Sequence, residues 1–546
     1  MRQGQSSKRQ WPVCGLLIMT ALTLTTSQAD MGSLENRQPL IEDSSPAPIV
    51  DIAEAASVWT TDKGLTQNAL FLLSHIKRAK SEGLDPSRYH YDTLNALSDE
   101  QWHAGLRQPY NELMATAFKQ LVTDLGQGVV IPKTAQSAWF QDIKPVDADS
   151  AYLALKQSGN TVETVLNQYR PQHSTYLKLA EKLENYLDLE AQGGWPRVPP
   201  GKPLKPGMTS QRVAVLKKRL QITGDLGPGT NEINMNLFTP ELLQAVKKFQ
   251  ARNGLIADGV VGKNTYRVLN VPVEHRIETI RINLERLRWL PRDLGERYVF
   301  TNIADYRLHV VEHGKEILTM PVVVGKKKFM TPVFSDEIEW IVFNPTWTVP
   351  KSIMYQELLP KELKNPGYLQ RNNFELFREE NGAVVVREPD TLRPEEWTSH
   401  PFRYTLRQKT GGRNALGNTK FIFPNEYSVY LHDTPAKSLF NRNTRAYSHG
   451  CVRVGDPETL AETLLGFQGV TPRRIKELRA LKKAKTIALR EHVPTHIAYL
   501  TSWVDNEGTL QFRRDLYGHD KGLTQALKRP SKVAWPASVL AILDDE

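Results

Sequence analysis

Apolar side chains recur at helical spacing through the first third of the chain. Leu113/Met114, Ala117/Phe118, Leu121/Val122 and Leu125 repeat every three or four positions, as do Leu179, Leu183, Tyr186 and Leu187, the period of amphipathic helices. The pattern predicts a helical domain over 33–192. It holds no catalytic constellation, so its expected role is a scaffold. Gly193 to Gly207 then packs five prolines and four glycines into 15 residues. This predicts a stiff, solvated stretch, with a linker at 193–203. A compact unit follows over 204–271. Arg212 to Leu220 reads as a short helix. Thr239-Pro240-Glu241 offers an N-cap, a proline at the first helical position and an early acid, and Leu242, Leu243, Val246 and Phe249 supply that second helix with a core stripe. Asp258-Gly259 is a turn, and Thr265 to Leu269 begins a third helix.

The pattern changes to period two at about Arg297. Tyr298 to Ile303, Arg307 to Val311 and Pro321 to Val324 read as strands, with a turn at His313-Gly314. Strand character resumes at Lys420 to Phe423 and ends in a hairpin, His496 to Val504 and Leu510 to Arg513, around Asp505 to Gly508. This predicts a β-rich domain over 295–520 and a tail over 521–546. Residues 352–416 interrupt it with a polar insertion that carries Tyr355, Tyr368, Phe374, Phe377, Trp397, Phe402 and Tyr404. Such long insertions are functional or disordered, and these aromatics argue against disorder.

A length of 546 residues implies three or four domains at roughly 100–200 residues each. With 40% hydrophobic and 24% charged residues, the composition is that of a soluble globular protein and excludes a disordered tail or a polytopic membrane protein. Two cysteines, Cys14 and Cys451, exclude a disulfide framework and a cysteine-ligated zinc cluster. Arg2, Lys8 and Arg9, the apolar run Trp11 to Leu24 and the small-residue site Ser27-Gln28-Ala29 read as a secretory signal peptide over 1–29. The run has 14 residues, short of the roughly 20 that cross a bilayer. No membrane span is therefore expected after cleavage, and the lone remaining thiol is Cys451. Removal of the three basic residues lowers the net charge from +10 to +7, which suits an anionic partner only weakly. Arg473 to Arg490 holds eight basic residues against Glu477. Its periodicity predicts an exposed helical face, and no nucleic-acid partner is expected.

The chemistry gathers around Cys451. If Tyr427 to His432 is a strand, Tyr427, Val429 and Leu431 form an apolar face and Ser428, Tyr430 and His432 the other. If Ser448 to Val454 is extended, Val452 and Val454 face the core, while His449, Cys451 and Arg453 share the opposite face. A thiol between an imidazole and a guanidinium favours the thiolate. Gly450 permits a turn that aims backbone N–H groups at a developing oxyanion. Nucleophile, candidate base, oxyanion donors and an anion-binding arginine are the parts of cysteine acyl transfer. The residues alone leave both His432 and His449 open as the base.

Two resemblances sharpen this picture. The string K-P-G…V-x-x-L-K-x-R-L…A-V-K-x-F-Q-x-x-N-G-L-x-x-D-G-V-V-G-x-x-T in 204–271 resembles the three-helix peptidoglycan-binding module of wall enzymes, with a long insertion at 223–236. The spacing His432-x(15)-Ser448-His-Gly-Cys451-x-Arg453 resembles the active-site signature of the L,D-transpeptidases, the YkuD-type domain, and extends through Gly325 and Thr331-Pro332. Together with the insertion, the chain resembles the long YcbB-like Gram-negative branch. The implied fold is multidomain α+β: a helical scaffold, a small peptidoglycan-binding domain, and a mostly-β catalytic domain with a cap at about 352–416.

The resemblance implies that Cys451 is the nucleophile and His432 the proton carrier, oriented by the Asp433 carbonyl. Ser448, His449 and Gly450 would shape the pocket and oxyanion hole, and Arg453, Tyr430, Ser448 and Asp433 would contact substrate. Some members carry asparagine at the position of Arg453. The implied reaction joins third-position diaminopimelate residues of neighbouring stem peptides in the periplasm, without metal or cofactor. Its partners would be peptidoglycan stem peptides and glycan, with other wall synthases as candidates. Rival readings are an L,D-carboxypeptidase, a hydrolase that detaches wall-linked lipoprotein, and a non-catalytic wall adaptor.

Overall fold

The computed structural model describes residues 57–99, 107–135, 138–157, 159–227, 234–380, 382–398 and 402–529. The signal segment 1–29, part of the 223–236 insertion and most of the 521–546 tail lie outside them. Where it is described, the tail begins within a helix, His519–Leu527, whose Leu523 is fully buried.

The helical region forms as its apolar stripes require. Leu113, Phe118, Leu121 and Leu125 of helix Arg107–Gln127 pack in one core with Trp59, Leu72, Ile76 and Val165. The last helix, Ser174–Ala191, joins a different core. Its Tyr176, Leu179 and Leu183 meet Ile277, Ile280 and Leu284 of helix Val273–Arg288. That second helix has no simple apolar stripe, because its buried side chains include Asn283, Glu285, Arg286 and Arg288. Each finds a partner on another element. Glu285 accepts the Val130 N–H at 2.7 Å and pairs with Arg288 at 3.0 Å, while Arg286 meets Asp520 at 2.8 Å. Pairing of this kind offsets the cost of burying charge.

The small helical domain comprises Gln211–Ile222, Pro240–Arg252 and Lys263–Leu269. Thr239 caps the second helix through the Leu242 N–H, with Pro240 at its start. The Gly193 to Gly207 stretch is mostly exposed, as a solvated stretch should be, and is anchored to the domain at a few points. Val198 and Leu204 are fully buried, Trp195 Nε1 donates to the Val271 carbonyl at 3.1 Å, and the Arg219 guanidinium lies 3.9 Å from the Trp195 ring centroid. Proline fixes an extended backbone that can lie against the domain and insert its few apolar side chains.

The β-rich domain is built from β1 (Arg297–Asn302), β2 (Arg307–Glu312), β3 (Lys315–Gly325), β4 (Phe334–Phe343), β5 (Thr419–Ile422), β6 (Leu431–His432), β7 (Ala446–Ser448), β8 (Val452–Val454) and β9 (Lys485–Ala498). The sheet runs β3-β8-β6-β5-β4-β9-β1-β2 and closes on itself, because β2 also pairs with β3; β7 lies along β3. Val299, Val310, Val322, Ile341, Phe421, Leu431, Val452 and Val454 fill the core, leaving alternate residues for the opposite face. The basic run 473–490 is helical only over Pro472–Arg479. From Lys485 its Ile487 and Leu489 alternate with exposed residues and lie in β9.

The insertion is a small α+β unit. Short helices over 351–371 cover a four-stranded antiparallel sheet, Trp347–Thr348, Thr405–Gln408, Phe374–Glu380 and Ala383–Arg387. Leu369, Phe374, Leu376, Tyr404 and Leu406 give it a core of its own.

Candidate active site

The chain leaves β7, which runs parallel to β3, and enters β8, which runs antiparallel to it. The reversal falls on His449, Gly450 and Cys451. Gly450 has φ +117°, a conformation glycine adopts without a Cβ penalty. The turn is then fastened from both sides. The Thr331 hydroxyl donates to the Gly450 carbonyl at 2.7 Å and accepts the Gly325 N–H at 2.9 Å. The Tyr517 hydroxyl donates to the Gly325 carbonyl at 2.8 Å and accepts the Thr331 N–H at 3.1 Å. A Cβ on Gly325 would stand 2.0 Å from the Phe329 carbonyl oxygen, so this close approach requires glycine. Ser448 Oγ donates to the Cys451 carbonyl at 2.5 Å and accepts the Gly450 N–H at 3.2 Å. Ser448 therefore shapes the loop instead of offering its hydroxyl to a substrate. The Gly450 amide, expected to face an oxyanion, is spent on that hydroxyl.

Strand register sets the reacting groups. His432 of β6 pairs with Lys420 of β5 on one side and Arg453 of β8 on the other, so the three make a rung across neighbouring strands. On the next rung, Leu431 opposite Val452 places Tyr430 opposite Cys451, and the Val452 N–H donates to the Tyr430 carbonyl at 3.2 Å. Cys451 and His432 are thus diagonal neighbours.

His432 is buried, and its Nδ1 lies 2.5 Å from the Asp433 carbonyl oxygen. A carbonyl only accepts, so Nδ1 carries the proton and Nε2 is left as the basic nitrogen. Burial, then Arg453 and Lys420, push the pKa of His432 down to about 3, which keeps the imidazole neutral at pH 7. The Asp433 carboxylate takes no part in this. It is held by the Thr434 N–H, Lys437 and the Asn418 N–H at 2.6, 2.6 and 2.8 Å, so the expected substrate contact of Asp433 is replaced by an internal network.

Cys451 is half-buried and free. Its thiol donates to the Ser428 carbonyl at 3.7 Å. Burial pushes its pKa up, against the Tyr430 N–H, Lys420, the Tyr430 hydroxyl and Arg453, which favour the thiolate. The expected resting thiolate is thereby corrected: desolvation outweighs the nearby cations. Ser428 has φ +55°, so the chain before β6 is a turn and not the strand expected from Tyr427. Asn425 builds the turn, donating to the Phe423 and Val429 carbonyls and accepting the Tyr427 and Val429 N–H groups.

His449 does not share a face with Cys451 and Arg453, because Gly450 breaks the alternation. Its Nε2 lies 2.7 Å from Glu357 Oε1 of the cap, and its ring centroid lies 4.7 Å from that of Phe329. Tyr430 packs edge-on to His432, with ring centroids 5.6 Å apart. Arg453 is half-buried, and burial pushes its pKa down, against a smaller opposite effect of Cys451. Sequence reasoning missed Lys420, whose ammonium lies 3.8 Å from the Tyr430 ring centroid. Its signal was present: between Thr419 and Phe421, both buried, a strand must turn Lys420 to the other face. Among the described residues, no three His, Cys, Asp or Glu side chains cluster as metal ligands would.

Residues 296–483 match the family described as "L,D-transpeptidase catalytic domain", residues 209–269 a "Putative peptidoglycan binding domain", and residues 53–183 a "Scaffold domain". A "Putative L,D-transpeptidase" of Haemophilus influenzae is 36% identical over 251 residues, covering 46% of this chain and 49% of the relative. The chain thus spans about half the length of that curated relative. The N-acetylmuramoyl-L-alanine amidase CwlM of Mycobacterium tuberculosis is 38% identical over 81 residues, 14% of this chain and 20% of that protein. Among solved structures, an L,D-transpeptidase of Stackebrandtia nassauensis aligns at 16% identity and a TM-score of 0.21, covering 54% of this chain and 94% of that one.

Proposed function

We propose that residues 296–483, which match an L,D-transpeptidase catalytic domain and accompany a match to a peptidoglycan-binding domain, use Cys451 to form third-to-third cross-links between wall stem peptides. The observation that carries this reading is the diagonal pairing of Cys451 with a buried, neutral His432 whose Nδ1–H is fixed on the Asp433 carbonyl. In the first step, the Cys451 S–H proton passes to His432 Nε2 as sulfur attacks the L-centre carbonyl of the third-position diaminopimelate. The bond to the terminal D-alanine breaks, and His432 returns the proton to the leaving amine. A histidine with a low pKa is a strong acid once protonated, which suits that return. In the second step, an acceptor amine attacks the thioester, its proton passes through His432 to the departing sulfur, and the thiol is restored.

Among the described residues no acceptor takes the Cys451 amide N–H, which with the Tyr430 hydroxyl supplies the donors for the oxyanion. Arg453 holds the anionic substrate. The cap, tied to His449 through Glu357, closes the site against the water that competes for the thioester. The order of scaffold, binding domain and capped catalytic domain supports the long YcbB-like branch. Wall substrate places the enzyme outside the cytoplasm, and the 1–29 segment supports export to the periplasm. Among the described residues, no helix is long and apolar enough to cross a membrane.

The test is incubation with disaccharide-tetrapeptides and mass analysis of the products. Cross-linked dimers with free D-alanine are expected. Tripeptide monomers alone would indicate the hydrolase, and unchanged substrate the adaptor.

A further inference from the structure

Lys420 and Arg453 flank His432 on a single rung of the sheet, each the cross-strand partner of the histidine between them. Both are half-buried. Neither forms an ion pair with a carboxylate among the described residues, and Arg453 Nε has no hydrogen-bond partner there. Elsewhere in this protein several buried cations meet an acid, Arg252 with Asp225, Arg286 with Asp520 and Arg288 with Glu285, while the buried Arg219 and Arg276 are held by neutral carbonyl and amide acceptors. Withdrawing a cation from water without an anion is costly. Among the described residues Lys420 has neither an acid nor a neutral acceptor, and with Arg453 assigned to the anionic substrate, Lys420 is left facing the charge that develops during the reaction.

Lys420 is the better placed of the two to be specific to that charge. Its ammonium sits 3.8 Å from the Tyr430 ring centroid, and Tyr430 stands opposite Cys451. The aromatic face steadies the cation without neutralising it. We propose that Lys420 is the counter-cation of the Cys451 sulfur, stabilising the thiolate during attack. Its charge acts mainly on Cys451 and, in the opposite sense, on protonated His432, so it favours thiolate and disfavours imidazolium. The inference rests on Cys451 as the reacting thiol. It does not depend on which acceptor takes the acyl group.

The test is the pH profile of Cys451 alkylation by iodoacetamide, a neutral reagent, read as adduct mass on the Cys451 peptide. A nearby cation with no acid beside it is worth roughly one pKa unit, or about tenfold in thiolate at neutral pH. Lys420→Met should shift the profile up by about that much, and Lys420→Arg should restore it. If Lys420→Met does not fold, Lys420→Gln gives the same comparison. The wild-type chain offers a reciprocal measurement, since carbamidomethylation of Cys451 removes the thiolate that would form at alkaline pH and should lower the Lys420 titration seen by lysine carbon-13 NMR. An unchanged alkylation profile in the Lys420 variants would overturn the proposal. So would a defect confined to KM for tetrapeptide, which would make Lys420 a holder of the substrate carboxylate. Absence of cross-linked product with the alkylation shift intact would instead count against the proposed reaction and leave the role of Lys420 standing.

Discussion

His449 Nε2 lies 2.7 Å from Glu357 Oε1, so the histidine nearest in sequence to Cys451 is bound to the cap and not to the Cys451 thiol. Two histidines that the sequence leaves equivalent are divided in space. His432 stands by the sulfur, and His449 holds the cap to the turn that presents it.

This division predicts unequal losses. His432→Ala should cut acylation by about 10²–10⁴, the usual range for a lost proton carrier, while His449→Ala should retain most of the acylation rate. Burst kinetics with a chromogenic β-lactam would rank them. The reverse order would mean that His449 is the base.

Glu357→Ala should loosen the cap without touching the sulfur. Acylation should persist, and the ratio of hydrolysed tripeptide to cross-linked dimer should rise as water reaches the thioester. An unchanged ratio would separate Glu357 from water exclusion.

The turn itself is a stability element. Thr331→Val leaves the Gly450 carbonyl and the Gly325 N–H without their shared hydroxyl, at about 1–3 kcal/mol for each buried group left unpaired. Denaturant unfolding should show that loss together with slower acylation. A change within about 0.5 kcal/mol, the range of an ordinary surface substitution, would show that the hydroxyl is dispensable.

How much of this was legible beforehand follows from what each residue needs. Leu113 to Leu125 and Val452 with Val454 declare their buried faces by spacing alone. Local spacing singles out Cys451 and Gly450, whereas only the family resemblance prefers His432 to His449, because His432 reaches the site through the register of β6 on β8. Spacing could not show that Gly450 at φ +117° reverses the strand and swings His449 toward the cap, since that depends on β7 and β8 both pairing with β3. Nor could it show Lys420, which reaches the site through register with His432, or the charged buried face of Val273–Arg288, whose partners lie far away in sequence. The Gly193 to Gly207 stretch is mostly exposed, as its composition suggests; what composition could not show is where Trp195, Val198 and Leu204 anchor it, since their partners lie on other elements.

Acid should weaken the fold by a definite route. Burial holds His432 at about 3 and His173 and His519 at about 4, well below the ordinary 6.5. Between those values the unfolded chain binds protons that the folded chain does not, so stability falls as pH drops from about 6.5, by up to about 1.4 kcal/mol per pH unit for each histidine. The buried carboxyls of Glu285, Asp124 and Asp520, raised by burial, act in the opposite sense as they take up protons. Histidine ring NMR signals isolate the first effect: those of His432, His173 and His519 should not titrate between pH 7.5 and 5. A midpoint near 6.5 for any of them would contradict its buried neutral state.

The central claim is that the Cys451 sulfur carries the acyl group, and intact-mass analysis after exposure to a carbapenem tests it most directly. The wild-type chain should gain one covalent adduct, mapped to the peptide containing Cys451, and Cys451→Ala should gain none. Equal labelling of the two proteins, or an adduct mapped elsewhere, would contradict it.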